Sequence, residues 1–192
     1  MDDTELTERL ARDLDGTFEA LVRAHADRCY TIALRVLGDP HDAEEVAQDA
    51  LVRAYRALAS YEPDRIRELR LRAWLATIVV NLCRNRRRRR VVPTTPLAPL
   101  VEIGREPAAP VAAGPAALTE RAADRERLGA LLATLPDRYR IPIVLRHVDE
   151  LSYAELSLVL GRPEGTLKAQ VSRGLAMLRA AVSATELEEL TA

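Results

Sequence analysis

Residues 160–168 read Leu160-Gly161-Arg162-Pro163-Glu164-Gly165-Thr166-Leu167-Lys168, a run that combines a helix stop, a tight turn and a helix start. Upstream, Ser152 and Glu155 have the spacing of a capping box, which predicts that a helix begins there. Gly161 suits the left-handed position that closes this helix, and Pro163 suits the first position of the next one. The run therefore predicts a helix-turn-helix, a motif whose second helix reads DNA.

The second helix of this motif has two different faces when its residues are spaced at about 100°. Its apolar face, which should pack on the first helix, contains Leu167, Val171, Gly174 and Leu178. The opposite face is small, polar or cationic, which suits a helix that enters a major groove. The candidate DNA-contacting residues are Thr166, Lys168, Ala169, Gln170, Ser172 and Arg173. An ordinary helical hairpin with a solvated polar face is the alternative for this motif alone.

The composition is that of a soluble globular protein, with 48% hydrophobic and 30% charged residues among 192. No apolar run approaches the roughly 18 residues of a membrane span, and Met1-Asp2-Asp3 lacks the cationic start of a signal peptide. We therefore expect a cytoplasmic protein without membrane insertion. Cys29 and Cys83 lie far apart, so we expect buried thiols, and neither a metal site nor a cofactor.

Charge is segregated along the chain although the formal net charge is only −1. Residues 1–64 contain 15 acidic and 7 basic residues, whereas residues 65–90 contain 1 acidic and 10 basic residues. The basic segment favours phosphate, whereas the acidic segment would repel free DNA and suits a cationic protein partner. We therefore expect a chain that bridges DNA and another protein.

Residues 91–118 contain six prolines and show neither helical nor alternating periodicity, a pattern typical of a linker. We therefore predict an all-α protein with two small helical domains, residues 1–90 and 119–192. A flexible Pro/Ala-rich linker over residues 91–118 would join them. The C-terminal domain would contain the helix-turn-helix.

The N-terminal domain shows two consecutive helical patterns. Apolar residues at helical spacing predict a core helix that stops at Gly38, and Asp39-Pro40 then suits the start of a helix that runs to about Leu58. One side of the second helix is a polar row of Asp42, Glu45, Gln48 and Asp49. Such a row is usually a solvated surface, but the segregation of charge favours a docking face.

A third helix is expected after a loop over residues 61–70. Its apolar residues, including Trp74, should face the core, and it should continue through Arg84 into five consecutive arginines, Arg86–Arg90. This run favours phosphate binding that weakens steeply with salt. A solvated tail is the alternative.

Two motifs in this order resemble those of the extracytoplasmic-function (ECF) sigma factors of bacterial RNA polymerase. The first is Asp42-Ala43-Glu44-Glu45-Val46-Ala47-Gln48-Asp49, followed by Trp74-Leu75, Ile78, Asn81 and the arginines. The second is Leu151-Ser152-Tyr153-Ala154-Glu155, followed by Gly161, residues 163–168 and Arg173. The resemblance covers most of residues 17–90 and 119–180.

The resemblance implies an initiation factor that recognises promoter DNA when it is bound to core RNA polymerase. The polymerase-docking residues would be Asp42, Glu45, Gln48 and Asp49. The loop over residues 61–69 would capture a flipped base of the minus-ten element, and the DNA contacts of the third helix would come from Asn81, Arg84, Arg86, Arg87, Arg88, Arg89 and Arg90. The helix-turn-helix would read the minus-thirty-five element, and an anti-sigma factor is expected as a further partner.

Four positions depart from the family pattern in the DNA-binding segments. Asn85 stands where Asp is common, which leaves the base preference at the minus-ten element open. Arg162, Ala169 and Gln170 stand where an apolar residue, a serine and an arginine are frequent. Fewer cations are therefore expected to reach the major groove.

Two further residues carry structural expectations. Gly174 lies within the second helix of the motif, where glycine costs roughly 1 kcal/mol, and this indicates either close packing or a weaker helix. Pro142 should kink the helix expected from about residue 136 to residue 147.

The main prediction is thus a non-enzymatic transcription initiation factor. The alternative is a self-sufficient helix-turn-helix regulator whose N-terminal domain is a sensor or dimerisation module. An enzyme is a third class, but the sequence shows no phosphate-cradling glycine loop, nucleophile elbow or metal-ligand cluster.

Overall fold

The structure, a computed structural model, describes residues 2–91 and 127–191. These residues are largely helical, with no strand among them, which confirms the all-α prediction. The elements are α1 (Asp3–Arg12), α2 (Leu14–Leu37), α3 (Pro40–Leu58), α4 (Pro63–Arg67), α5 (Leu71–Val91), α6 (residues 127–133), α7 (Asp137–Ile143), a π-helical turn (Val144–Val148), α8 (Tyr153–Leu160) and α9 (Glu164–Thr191).

We refer to residues 2–91 as domain 1 and to residues 127–191 as domain 2. Apart from Val91, the predicted linker lies in residues 92–126, outside the described residues, and the predicted domain boundaries stay predictions. None of the helices in the described ranges is both long enough and apolar enough to cross a membrane.

Domain 1 is built on the packing of α2, α3 and α5 against one another. The predicted helices are confirmed: α2 ends just before Gly38, and the Asp39 side chain caps α3 by accepting a 2.8 Å hydrogen bond from the Asp42 amide. Leu21, Ile32 and Leu71 are almost completely buried in this core. Each such side chain contributes about 1.5–3 kcal/mol when it leaves water.

Helix α1 completes domain 1 and was not predicted from the sequence. It packs against α2 and α4, and its Leu6 and Leu10 are buried. The sequence does contain a signal for it, because the two leucines stand four residues apart and Asp2 caps the helix.

The segment between α3 and α5 is not the continuous loop predicted over residues 61–70. It contains the short helix α4, which begins at Pro63 and is anchored by the buried Ile66. Proline is favoured in the first turn of a helix, because it lacks the amide hydrogen that would be unpaired there. Pro63 therefore gave a signal in the sequence from which this helix could have been predicted.

In domain 2, α7 gives way to a π-helical turn two residues after Pro142. Proline has no amide hydrogen to donate, so the regular hydrogen-bond ladder is interrupted there. After the interruption, the hydrogen bonds join residues that are five apart and not four, and the Asp149 amide donates to the Val144 carbonyl at 3.0 Å. The predicted disturbance by Pro142 therefore takes the form of a change in helix type.

The helix-turn-helix of α8 and α9 forms as predicted. The Ser152–Glu155 capping box is present, and Gly161 adopts the left-handed conformation with φ of 64°. The turn is closed by a 2.8 Å bond from the Ser157 hydroxyl to the Arg162 carbonyl. Pro163 precedes the first residue of α9 and does not begin it, a shift of one position from the prediction.

Gly174 lies at a close approach between α9 and α7. A Cβ atom at this position would stand 2.5 Å from Ile143 Cδ1 and 3.1 Å from Tyr139 Cβ. Of the two expectations for this glycine, close packing is therefore confirmed.

The two domains contact each other directly. Helix α5 packs against α8, and α2 packs against the π-helical turn and α7, so that one hydrophobic cluster extends through both domains. Cys29 and Cys83 are buried thiols, as predicted. Burial raises their pKa values to about 11 and about 12, so both thiols are unreactive near neutral pH.

Candidate nucleic-acid interface

Helix α9 presents the predicted polar face to solvent. Leu167, Val171 and Gly174 are buried on the inner side and Leu178 is half-buried, which confirms the predicted apolar stripe. Gly174, however, packs against α7 and not against the first helix of the motif, as the prediction had it. The exposed candidates on the outer side are Thr166, Lys168, Ala169, Ser172 and Arg173. This face has the small and cationic character that major-groove contact requires. The DNA contacts themselves stay predictions.

Gln170 is placed differently from the other candidates on α9. It is half-buried, and its Oε1 atom accepts a 3.1 Å hydrogen bond from Arg162 Nη1. Two residues that depart from the family pattern thus bind each other across the turn. Gln170 would have to exchange this bond before it could contact a base.

An aromatic residue with two cationic neighbours adjoins this face, and it was not predicted as a site from the sequence. The Tyr153 ring has Arg146 and Lys168 each 5.4 Å from its centroid. The three residues come from the π-helical turn, α8 and α9, so no local spacing in the sequence could have shown the cluster. Its two cations add to the positive charge beside the start of α9.

The arginines of α5 do not form one continuous phosphate-binding surface. Successive residues of a helix point about 100° apart, so a run of five surrounds the helix. Arg86 points to α3 and pairs with Asp42 and Glu45, each at 2.6 Å. Arg87 points to domain 2, where it pairs with Asp137. Of the arginines predicted to bind phosphate, Arg86 and Arg87 are therefore occupied by carboxylates.

The remaining candidates of α5 differ in their accessibility. Asn81, Arg88 and Arg89 are exposed, and Arg88 also bonds to Asn85. Arg84 is half-buried, and burial, followed by the neighbouring Arg162 guanidinium, lowers its pKa. The prediction for Arg90 concerns a side chain outside the described part of the chain.

The acidic row of α3 is divided in the same way. Glu45, Gln48 and Asp49 are exposed, as a docking face requires, whereas Asp42 is only 3% exposed. The hydrogen bond from Arg86 to Asp42 raises the pKa of Arg86, which keeps the guanidinium charged. Asp42 therefore holds α5 against α3 and is not presented to a partner.

The segment around α4 carries a layered aromatic cluster. The Arg65 guanidinium lies 3.8 Å from the centroid of the Tyr61 ring, whose centroid is 6.2 Å from that of Trp74. Trp74 is half-buried and packs against the core, in keeping with its predicted core position. The Tyr61 ring and Arg65 lie in the segment predicted to capture a flipped base, and that role stays a prediction.

Comparisons with known proteins agree with this arrangement. The family model of sigma-70 region 2 matches residues 21–91, and that of sigma-70 region 4 matches residues 125–178. The chain is 32% identical to the ECF RNA polymerase sigma factor SigE of Mycolicibacterium smegmatis, over 85% of this chain and 60% of that protein. It is also 32% identical to the ECF RNA polymerase sigma factor SigW of Bacillus subtilis, over 84% of this chain and 87% of that protein.

A solved structure shares the fold. It is that of CnrH in complex with the cytosolic domain of CnrY, with a TM-score of 0.68 and 26% sequence identity. The match covers 95% of this chain and 97% of CnrH. The relation therefore extends over both domains.

Proposed function

The chain belongs to the ECF family of RNA polymerase sigma factors, which are transcription initiation factors, and we propose that it divides this task between three surfaces. Domain 1 docks on core polymerase through Glu45, Gln48 and Asp49 of α3. Domain 1 also binds the minus-ten element through α5 and the segment around α4. Domain 2 reads the minus-thirty-five element through α9.

One observation carries this proposal: α9 of a capped helix-turn-helix keeps Thr166, Lys168, Ser172 and Arg173 exposed on one face. Lys168 near the start of the helix suits phosphate, and Arg173 suits bidentate contact with guanine. The half-buried Gln170 adds to this face once Arg162 releases it.

The polymerase-docking surface is smaller than the sequence indicated. It comprises the exposed carboxylates Glu45 and Asp49 with Gln48 between them, while Asp42 supports α3 from within. Charge complementarity at such a surface speeds association and rejects partners of the wrong charge. A cationic surface of the polymerase is the matching partner.

On α5, we propose that Asn81, Arg84, Arg88 and Arg89 contact the minus-ten DNA, joined by Arg90. Arg86 keeps its pair with Asp42 and Glu45, so we leave it out of the proposed DNA contacts. The Tyr61–Arg65 stack provides a surface for an unpaired base, since base stacking is worth about 1–3 kcal/mol.

This function requires binding and positioning, while the polymerase performs the chemistry. We therefore place the chain among non-enzymatic factors that act in the cytoplasm, on the polymerase and the chromosome. An anti-sigma factor is proposed as a further partner, because the sigma factor RpoE of Bartonella quintana, a solved structure with this fold, was crystallised in complex with the anti-sigma factor NepR. The comparisons do not favour the self-sufficient regulator.

Run-off transcription with purified core polymerase on a promoter library tests the proposal. We expect transcripts from specific start sites only when the chain is added. Transcripts that are the same with and without the chain would contradict it. Specific promoter binding by the chain alone at physiological salt, measured by gel shift, would support the self-sufficient regulator.

The docking surface has its own test. Glu45→Lys together with Asp49→Lys should abolish co-purification with core polymerase, because both substitutions oppose a cationic partner. The matched control is Glu5→Lys with Glu19→Lys, which reverses two exposed carboxylates on α1 and α2. Circular dichroism should show unchanged helicity in both variants. Equal retention of polymerase by the two variants would remove α3 from the interface.

A further inference from the structure

The turn of the helix-turn-helix is joined to α9 by a hydrogen bond between two polar side chains. Arg162 Nη1 donates to Gln170 Oε1 at 3.1 Å. Arg162 lies in the turn, where its carbonyl is held by the Ser157 hydroxyl at 2.8 Å. Gln170 lies on α9 four residues after Thr166 and three before Arg173, so the three are neighbours on the helix surface. The bond therefore ends at the edge of the proposed DNA-reading face.

The chemistry of this pair fixes the orientation of the Gln170 amide. A guanidinium has only donors, so the atom that faces it must be the amide oxygen. Glutamine recognises adenine with both amide atoms at once, the nitrogen donating to N7 and the oxygen accepting from N6. While Arg162 holds the oxygen towards the turn, the half-buried amide cannot direct both atoms to a base.

Arg162 differs from the arginines that carboxylates occupy, such as Arg86 and Arg87. Among the residues that the structure describes, no carboxylate pairs with Arg162, whose guanidinium donates to the neutral oxygen of Gln170. A phosphate oxygen is the stronger acceptor, because it carries negative charge and the planar guanidinium can bind two phosphate oxygens in parallel. A phosphate that reaches Arg162 should therefore displace Gln170.

The position of Arg162 suits contact with the DNA backbone. It lies two residues before Glu164, the first residue of α9, and is half-buried, so solvent reaches it. The start of a recognition helix lies close to base edges and flanking phosphates, and the free amides of its first turn favour an anion. An apolar residue is frequent at this position in the family, so a contact from Arg162 would be particular to this chain.

We propose that Arg162 contacts a DNA phosphate and thereby controls Gln170. When the guanidinium moves from Gln170 Oε1 to a phosphate oxygen, the released amide reads an adenine of the minus-thirty-five element. We call this step the exchange. It rests on the proposed function, because it adds one phosphate contact and one base reader to the surface of α9. Arg162 is a positioning residue, Gln170 determines specificity, and base reading at this position follows engagement of the backbone.

Gln170→Ala tests the base reader. Competition binding of the polymerase complex to upstream elements with single base-pair changes should show that the parent prefers adenine about tenfold at one position. The variant should lose this preference and keep those at the other positions. It should also bind elements without this adenine about threefold more tightly than the parent, because Arg162 no longer gives up a hydrogen bond. Loss of a merely structural bond would not raise affinity.

Arg162→Leu tests the phosphate contact in the same assay, repeated at several salt concentrations. The affinity should fall about equally for all elements, and the slope of log affinity against log salt should decrease by about one. The adenine preference should persist, because Gln170 is free from the start. Arg162→Lys keeps the cation and should keep the slope. The matched control is Arg138→Leu, which removes an exposed arginine of α7 and should change neither quantity.

The double variant Arg162→Leu with Gln170→Ala measures the competition between Gln170 and the phosphate for Arg162. On elements without the adenine it should bind like Arg162→Leu alone, so that loss of Arg162 costs about threefold more once Gln170 is absent. Additive effects of the two substitutions would overturn the exchange. Circular dichroism should show the helicity of the parent in every variant, since both positions are only half-buried.

Failure of the exchange is distinguishable from failure of the proposed function. An unchanged salt slope in Arg162→Leu, or an unchanged adenine preference in Gln170→Ala, would overturn the exchange even where run-off transcription depends on the chain. Transcription that does not depend on the chain would contradict the proposed function instead. In that case the same competition, performed with the chain alone, decides the exchange.

Discussion

The two domains place their buried charges differently. In domain 1, the buried Asp42 pairs with Arg86, and Nε2 of the buried His25 lies 3.3 Å from Asp3 Oδ1, so both contacts are made within the domain. In domain 2, the buried Arg140 and Asp149 reach across to Val36 and Arg28 of domain 1. The fully buried Asp42 and His25 thus have their charged neighbours within domain 1, whereas the fully buried Arg140 and Asp149 of domain 2 also bind groups of domain 1.

This difference indicates which substitutions should lower the stability of the fold and which should weaken DNA binding. Charges inside domain 1 hold α3, α5 and α1 in place, so their loss should affect folding before binding. Charges on the outer face of α9 contact only solvent or close neighbours, so their loss should affect binding before folding. Each of the following predictions tests one side of this comparison.

The largest effect is expected from Arg86→Ala, which leaves Asp42 buried without this cation. Removing one partner of a buried pair costs about 3–5 kcal/mol, and because Arg86 is itself partly exposed we expect about 3 kcal/mol. Urea unfolding measures this loss. Arg53→Ala is the control, because it removes an exposed pair with Asp49 that is worth about 0.3–0.5 kcal/mol. Similar losses in the two variants would show that the Asp42 pair does not hold domain 1 together.

A smaller effect on a different property is expected from Arg173→Ala. It should cost about 2 kcal/mol of binding at one promoter position, within the usual range of about 1–3, and change stability by less than about 0.5 kcal/mol. Competition binding of the polymerase complex to single-base variants of the promoter measures the first quantity. Arg179→Ala, an exposed arginine farther along α9, is the matched control. A uniform loss across all promoter variants would reassign Arg173 to phosphate contact.

The smallest effect concerns pH and the interior of domain 1. Burial lowers the pKa of His25 below 6.5, with further lowering by Arg28 and Arg72, while Asp3 and Asp149 oppose the shift. A histidine whose pKa is lower in the folded state than in the unfolded chain stabilises the fold at pH values above its pKa in the unfolded chain. This stabilisation is lost as the pH falls towards its pKa in the folded state. We therefore expect a lower urea midpoint at pH 5.5 than at pH 7.5.

The fluorescence of Trp74 reports this transition in domain 1, because it is the single tryptophan of the chain. In His25→Leu the midpoint should depend less on pH over the same interval. An equal dependence in the parent chain and the variant would assign the effect to groups other than His25.

Local signals were sufficient to predict most of the architecture. The Ser152–Glu155 box, Gly161 and the 3.6-residue period of α9 act over one or two helical turns, so the sequence alone predicts the motif and its buried stripe. The same holds for the start of α3 at Asp39-Pro40. Helix α1 was missed even though its signals are equally local.

Side-chain partners that are distant in the sequence could not be predicted. Arg86 and Asp42 are 44 residues apart, and Arg87 and Asp137 are 50 residues apart. A count of charges along the chain assigns all such residues to surfaces, because it cannot tell which charges meet in the fold. The expected cationic edge and acidic face are therefore each reduced by the residues that pair internally.

Gly174 finally has a consequence for how such a protein can change its promoter preference. A missing methyl group lets α9 settle against Ile143 and Tyr139, so it determines how far the exposed face projects from the body of the domain. Any side chain there would act as a wedge and tilt the whole helix relative to the groove. Sequence preference could thus shift through a buried position that never touches a nucleotide.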